Sequence, residues 1–125
     1  MLRGPKLFPI DWSLFIAVSE RQARRRVSKT HGLPSGAIIV LVTVAALTKL
    51  GGIVAPHQLH NARLMSASLL RKYLATLVRL KLVERYTYRG CARLRLTLTG
   101  LGVSGEYHRH LLNGAKQYER EQTIF

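Results

Sequence analysis

The sequence predicts a mainly helical domain that carries one small β-hairpin. Apolar residues recur at spacings of three and four up to Leu80, and at spacings of roughly two after Leu82. A length of 125 residues suits a single domain with one core. The hydrophobic content of 47%, with only 4 prolines, is typical of a folded chain.

The first expected elements are an irregular arm over residues 1–10 and a helix after it. Two prolines in the arm disfavour regular structure. Asp11 can cap the helix, which is expected over residues 11–31. Gly32 suits the position just after its last turn. The folded domain is therefore expected to span residues 11–125.

The second helix, expected from about Ser35 to Leu50, is strongly apolar. Its apolar run from Ala37 to Leu47 is much shorter than the ~20 residues that a membrane span needs. A proline near its start and two glycines after its end are ordinary helix punctuation. We therefore expect a buried core helix and no membrane partner.

A short helix and a basic helix are expected next. Pro56 suits the first turn of the short helix, which extends to about Arg63. Ser66 can cap the basic helix, which runs to about Leu80. One face of the basic helix is expected to face the core, with Leu70, Leu74 and Leu77. The opposite face carries Ser68, Lys72, Ala75 and Arg79, with Arg71 and Thr76 at its margins. Small and basic residues on one helix face suit the groove of a duplex.

Two strands joined by a tight turn are expected after Leu82. The segments "LVERYTY" and "ARLRLTL" alternate as strands do, and "RGC" is expected to form the turn between them. The core side of the second strand is expected to hold Leu94, Leu96 and Leu98, and its solvent side Arg93, Arg95 and Thr97. A last helix, within residues 99–121, is expected to begin only once the chain has passed Gly100, Gly102 and Gly105.

The chain is strongly basic, with 20 lysines and arginines against 6 acids and a net charge of +14. Residues 66–98 hold eight of the basic side chains and a single acid, Glu84. This imbalance predicts an extended anionic partner, and nucleic acid is favoured over an anionic membrane surface. A second basic run, from Arg21 to Lys29, suits either a solvated helix face or a nucleic-acid contact.

The order of these elements is that of a winged helix-turn-helix domain, with a DNA-binding core over residues 34–98. The stretch from Ser66 to Gly102 resembles more specifically the MarR family of bacterial transcription regulators. In that family a Ser- or Thr-rich helix start leads to a Leu, a short link, a Leu-Val pair that opens the wing, and a closing Leu-Thr-x-x-Gly. The matching residues here are Ser66, Ser68, Leu77, Leu82, Val83, Leu98, Thr99 and Gly102.

The resemblance implies a sequence-specific transcription regulator that binds double-stranded DNA. Its recognition helix, about residues 66–80, would lie in the major groove. Its wing, about residues 82–98, would contact the flanking backbone or minor groove. The expected DNA-binding side chains are Ser66, Ser68, Arg71, Lys72, Thr76, Arg79, Arg89, Arg93 and Arg95.

The family usually dimerises through its N- and C-terminal helices, so the resemblance also implies a homodimer. The candidate dimerisation helices cover residues 11–31 and 99–121, and a monomer that buries their apolar faces internally would show the same pattern. The expected dimerisation residues are Trp12, Phe15, Ile16, Val103, Tyr107, Leu111 and Tyr118. Many family members bind a small-molecule effector, but the pattern here identifies no pocket for one.

One position departs from the family pattern. The link after the recognition helix usually holds Gly, and here it holds Lys81. This turn therefore either needs no positive φ or is strained.

Catalytic chemistry is not expected. The acids are scattered, without a pair spaced for general acid–base work. His57 with His60, and His108 with His110, lack the further ligands that a structural zinc needs. We therefore expect no enzyme activity, no metal and no cofactor. The single cysteine, Cys91, cannot form an internal disulfide and suits the cytoplasm.

Two other functions fit the same pattern. A winged-helix protein that binds structured RNA, such as a ribosomal or ribosome-associated protein, would also be small and basic. A replication or mobile-element assembly module would use the fold as a scaffold. Winged helices serve all three purposes, so the fold class alone does not choose among them.

Overall fold

The structure is a computed structural model that describes the backbone of residues 12–123 and the side chains of residues 16–117. Its elements in chain order are α1 (Trp12–His31), α2 (Ser35–Gly51), α3 (Pro56–Asn61), α4 (Ala67–Arg79), β1 (Val83–Tyr88), β2 (Cys91–Leu96) and α5 (Leu98–Thr123). The expected mainly helical class with one β-hairpin is confirmed. The expected arm over residues 1–10 and the Asp11 cap lie outside the described residues.

Helix α2 forms the centre of the core. It packs against α1, α4, α5 and β2. Its buried side chains are Ala37, Ile38, Val40, Leu41, Val44 and Ala45. The buried leucines that complete the core from the rest of the chain are Leu33, Leu59, Leu70, Leu74, Leu77, Leu82 and Leu94. The expected buried helix is confirmed.

Within the described part of the chain, no helix by itself is long and apolar enough to cross a membrane. Ile16–His31 of α1 and helix α2 together reach the length and apolar character that a membrane span needs, but a bend of 106° separates the two helices.

The expected helix ends are largely confirmed. Gly32 follows α1 with a φ of 68°, and its N–H donates to the carbonyl of Ser28 at 2.8 Å. Helix α3 ends at Asn61, earlier than expected, because Arg63 has a φ of 52° that an α-helix cannot accommodate.

The turn of the hairpin is tighter than expected. Tyr88 already pairs with Cys91, so the expected three-residue turn is wrong, and only Arg89 and Gly90 connect the strands. Their φ angles are 52° and 76°. A two-residue turn with positive φ at both positions matches the right-handed twist of paired strands.

The three leucines expected on the core side of the second strand agree with the structure at two positions. Leu94 is buried, and its N–H donates to the carbonyl of Val54 at 2.8 Å, so the segment after α2 lies beside β2. Leu96 packs against the core. Leu98, however, is 87% exposed, because the strand ends at Leu96 and the alternation of side chains stops there.

Helix α5 begins before the glycines and not after them, so this expectation is wrong. The Thr97 hydroxyl accepts a hydrogen bond from the Gly100 N–H at 3.0 Å, which caps the first turn. A Cβ on Gly100 would lie 2.0 Å from the carbonyl oxygen of Leu82. The absence of a side chain at Gly100 therefore lets α5 start directly against the link between α4 and β1.

Candidate nucleic-acid interface

Helix α4 separates its apolar and its basic side chains cleanly. Leu70, Leu74 and Leu77 are buried, as expected. The opposite face is exposed to solvent and carries Ser68, Arg71, Lys72, Ala75 and Arg79. A helix with this distribution can lie against the core and present cations and small polar groups to a duplex at the same time.

The exposed face of α4 starts at a capped end. The Ser66 hydroxyl accepts a hydrogen bond from the N–H of Leu69 at 3.2 Å, so the expected cap is confirmed. The Ser66 hydroxyl is therefore engaged in capping the helix, whereas the Ser68 hydroxyl makes no such bond among the described residues. Leu69 is 42% exposed on the same turn. Sequence reasoning placed no contact there, although an exposed apolar side chain suits the methyl group of thymine.

The cations of α4 have no acidic partner among the described residues. Lys72 Nζ lies 5.8 Å from the ring centroid of Tyr73, close enough for a weak cation–π contact. The Tyr73 ring lies so close to Gly36 that a Cβ on Gly36 would be 2.2 Å from a ring carbon. This close approach between α2 and α4 fixes how the basic face of α4 is presented. The Thr76 hydroxyl donates to the carbonyl of Lys72 at 3.1 Å and is only half-exposed.

The wing presents one arginine at its tip and a second beside it. Arg89 lies in the turn, with its guanidinium 5.3 Å from the ring centroid of Tyr88. Arg93 is half-buried, and it donates to the carbonyl of Ala92 at 2.8 Å. Arg89 is therefore the more accessible of the two.

Arg95, by contrast, is engaged within the wing itself. It pairs with the carboxylate of Glu84 across the strands, and its guanidinium lies 4.5 Å from the ring centroid of Tyr86. It also lines a cavity of about 490 Å³ between α2, β2 and α5. Of the nine side chains expected to bind DNA, Arg95 is the one that has an acidic partner among the described residues.

Lys81 occupies the left-handed position just after α4. Its N–H donates to the carbonyl of Val78 at 3.0 Å, and the Leu82 N–H donates to the carbonyl of Leu77 at 2.9 Å. These two bonds are those of a Schellman motif, in which the residue at Lys81 is usually Gly. Lys81 has a φ of 62°, so the turn does require positive φ.

The side chains expected at a dimer interface divide into three groups. Val103 and Tyr107 are only 4% exposed and belong to the core of the chain itself, which is the internal burial that the same pattern also allowed. Leu111 packs at the edge of this core, and Ile16 is 51% exposed. The side chains of Trp12, Phe15 and Tyr118 lie outside the described ones. Three exposed leucines on α5, Leu98, Leu101 and Leu112, were not identified as exposed from the sequence.

The helices α1 and α5 are joined by polar and apolar contacts. His31 Nε2 lies 2.5 Å from Glu106 Oε2. This hydrogen bond lowers the pKa of the Glu106 carboxyl below its usual value. Burial raises the pKa of the Tyr107 hydroxyl.

Within the described range, no three His, Cys, Asp or Glu side chains lie close enough together to hold a metal ion.

Comparison with solved structures relates this arrangement to known proteins, although no protein-family model and no curated sequence matches the chain. A MarR family protein from Bacillus stearothermophilus superposes with a TM-score of 0.67 at 17% identity, over 86% of this chain and 74% of that one. The oxidised form of MarR from E. coli gives 0.65 at 16% identity, over 94% and 82%. MepR from S. aureus, bound to ethidium bromide, gives 0.64 at 15% identity, over 94% and 84%. The chain therefore has the MarR-like winged helix-turn-helix fold.

Proposed function

We propose that this protein is a transcription regulator that binds specific double-stranded DNA sites. In this proposal α4 enters the major groove, and the wing contacts the flanking backbone or minor groove. The exposed face of α4 carries the proposal, because it combines small polar residues with cations that no acid neutralises among the described residues. A solved neighbour from Thermotoga maritima is described as a transcriptional regulator.

The proposed contacts divide into base-reading and backbone-binding groups. Ser68, Arg71 and Lys72 lie on the first two turns of α4, where a recognition helix approaches base edges most closely. Arg79, Arg89 and Arg93 are proposed to bind phosphates or to enter the flanking minor groove. Arg95 is proposed to reach DNA only where it leaves Glu84.

We further propose that the protein acts as a homodimer through α1 and α5. The exposed apolar side chains Ile16, Leu101 and Leu112 support this, because a solvated helix has no need of them. Trp12, Phe15 and Tyr118 remain proposed members of the same interface. Two copies of α4 would then read half-sites about one helical turn apart, so the cognate site would have two-fold symmetry.

The experiment that tests the proposal is selection from random-sequence pools. Purified protein is equilibrated with a pool of duplex DNA and, in parallel, with a pool of structured RNA, over a series of salt concentrations. We expect a short DNA motif with two-fold symmetry that is still enriched at ~0.15 M salt. Tight RNA binding, or DNA binding that disappears with salt and enriches no motif, would contradict a regulator and favour a ribosomal or architectural role.

A further inference from the structure

The turns of this protein use two different kinds of residue at positive φ. Helices α1 and α2 are followed by glycines, Gly32 at 68° and Gly52 at 79°. The turns before and after α4 hold long cations instead, and the wing tip holds Arg89 beside Gly90 at 76°. Among the described residues, those other than glycine that have positive φ are Arg63 at 52°, Lys81 at 62° and Arg89 at 52°. All three are basic, and all three lie in the helix-turn-helix and the wing.

Positive φ is unfavourable for these residues. A Cβ collides with the following carbonyl in the left-handed region, so glycine is the usual occupant of such positions. Asparagine and aspartate are tolerated because their short side chains hydrogen-bond locally, but arginine and lysine have no such compensation. A strained residue that persists at a turn indicates that its side chain serves another purpose.

The fold itself makes little use of these three side chains. The turn after α3 is closed by the backbone N–H of Arg63, which donates to the carbonyl of His60 at 3.1 Å. The turn after α4 is closed by the backbone bonds of the Schellman motif. A glycine at Arg63 or Lys81 would keep every one of these bonds. All three side chains are exposed, and only Arg89 has a described side-chain contact, with the Tyr88 ring.

Their positions along the chain place two of them at opposite ends of the recognition helix. Arg63 lies in the link between α3 and α4, three residues before the Ser66 cap, and Lys81 lies two residues after the last residue of α4. A helix of 13 residues is about 20 Å long. The major groove is about 12 Å wide between its phosphate borders. Long cations at the two ends of a helix in that groove can therefore extend to the phosphates of both bordering strands.

We propose that Arg63 and Lys81, together with Arg89, form a phosphate clamp around the recognition helix. The chain retains strained cations at these turns because the contacts require charge, which glycine does not supply. This inference rests on the proposed DNA-binding function, and it adds two residues that the family pattern does not indicate. Arg63 and Lys81 would position α4 without reading bases.

The test compares glycine variants with wild type by two independent measurements. Arg63→Gly and Lys81→Gly are examined by thermal unfolding and by binding to a mixed-sequence 30-bp duplex over a salt series. Lys81→Arg retains both the charge and the strain. Lys116→Gln, on the exposed side of α5, removes one charge far from α4 and serves as the matched control.

Both glycine variants are expected to unfold at the wild-type temperature or up to about 4 °C higher, because strain is relieved. Each is also expected to bind DNA more weakly and to make the negative slope of log K against log salt shallower by about 0.9, with a change of about 1.8 in the double variant. Lys81→Arg and Lys116→Gln should keep the wild-type slope.

Two results would overturn the clamp. Unchanged salt slopes in both glycine variants would show that the cations do not contact phosphate. A marked fall in unfolding temperature would show that the side chains stabilise the fold. Failure of the wild-type protein to bind duplex DNA at low salt would instead remove the proposed function, and the clamp with it.

Discussion

The helix-turn-helix with its wing and the α1–α5 pair differ in how they treat charge. The first region has eight basic residues and one acid over residues 66–98, and that acid is paired with Arg95 at the side of the wing. In the second region the described ion pair joins the two helices, between His31 and Glu106. Helix α1 also carries exposed cations, such as Arg21, Arg25 and Lys29, so the first region is distinguished by having eight basic residues with a single acid.

The two regions also differ in where they place apolar side chains. Helix α4 turns most of its leucines inward, whereas α5 buries Val103 and Tyr107 and still exposes Leu101 and Leu112. A helix that is apolar on its core side and also on part of its outer side is typical of an element with a second partner. This contrast agrees with the two proposed surfaces, one for DNA and one for a second copy of the chain. The following predictions break or sharpen that contrast, from the largest expected effect to the smallest.

The largest effect is expected at the joint between the two regions. Gly100→Ala would place a Cβ 2.0 Å from the carbonyl oxygen of Leu82, so α5 must move away from the link that follows α4. We expect a loss of about 3 kcal/mol in the free energy of unfolding, measured by urea denaturation. Gly102→Ala is the control, because open space surrounds that position, and it should stabilise the helix by about 0.5–1 kcal/mol. Equal stability of the two variants would refute the close packing of this joint.

The second prediction concerns the basic face of α4. Arg71→Ala and Lys72→Ala should each weaken binding to the selected DNA site by about 1–3 kcal/mol if the side chains read bases. The free energy of unfolding should stay within about 0.5 kcal/mol of wild type, because both side chains are exposed. Fluorescence anisotropy with the selected site and a scrambled duplex measures both affinities. An equal loss for the two duplexes would assign these residues to phosphate contact.

The third prediction concerns the proposed dimer. Leu112 is 55% exposed on α5, and Leu112→Glu would introduce a charge into the proposed interface. We expect the dimer dissociation constant to rise at least about tenfold, which is 1.4 kcal/mol. Sedimentation velocity over a concentration series measures this change. Thr87→Glu on the exposed side of the wing adds the same charge and should leave association unchanged. A monomeric wild-type protein would rule out the dimer.

The smallest effect is expected at the ion pair between α1 and α5. Folding lowers the pKa of Glu106, so its ionised form stabilises the folded chain. This contribution is present above the usual value of 4.5 and is lost as the pH falls through the lowered value. Because both partners are partly exposed, Glu106→Gln should reduce the free energy of unfolding near pH 7 by less than about 1 kcal/mol. The difference from wild type should shrink as the pH falls below 4.5, as measured by urea denaturation at each pH. A difference that does not change with pH would show that the carboxylate makes no such contribution.

Much of the candidate interface could be predicted from the sequence, because local rules control it. The spacing of Leu70, Leu74 and Leu77 sets the buried face of α4, and the same spacing leaves Arg71 and Lys72 outside. The cap at Ser66 follows from the residue type alone. Arg63 was missed, because its positive φ is a backbone angle that no periodicity encodes, whereas at Lys81 the sequence left open whether φ is positive.

The sequence by itself determined the helices, the hairpin and the charge on α4, since periodicity, capping and composition act over a few residues. Only the tertiary structure decided which apolar residues of α5 turn inward, because Val103 and Tyr107 become buried through the packing of other elements around them. It also decided that Arg95 is paired, because Glu84 comes opposite it only in the observed strand register. It also placed Thr97, which caps the first turn of α5, against Leu82, whose carbonyl accepts a hydrogen bond from the Thr97 N–H at 3.0 Å. Each of these outcomes depends on atoms that are distant in the chain, and local pattern carries no information about such distances.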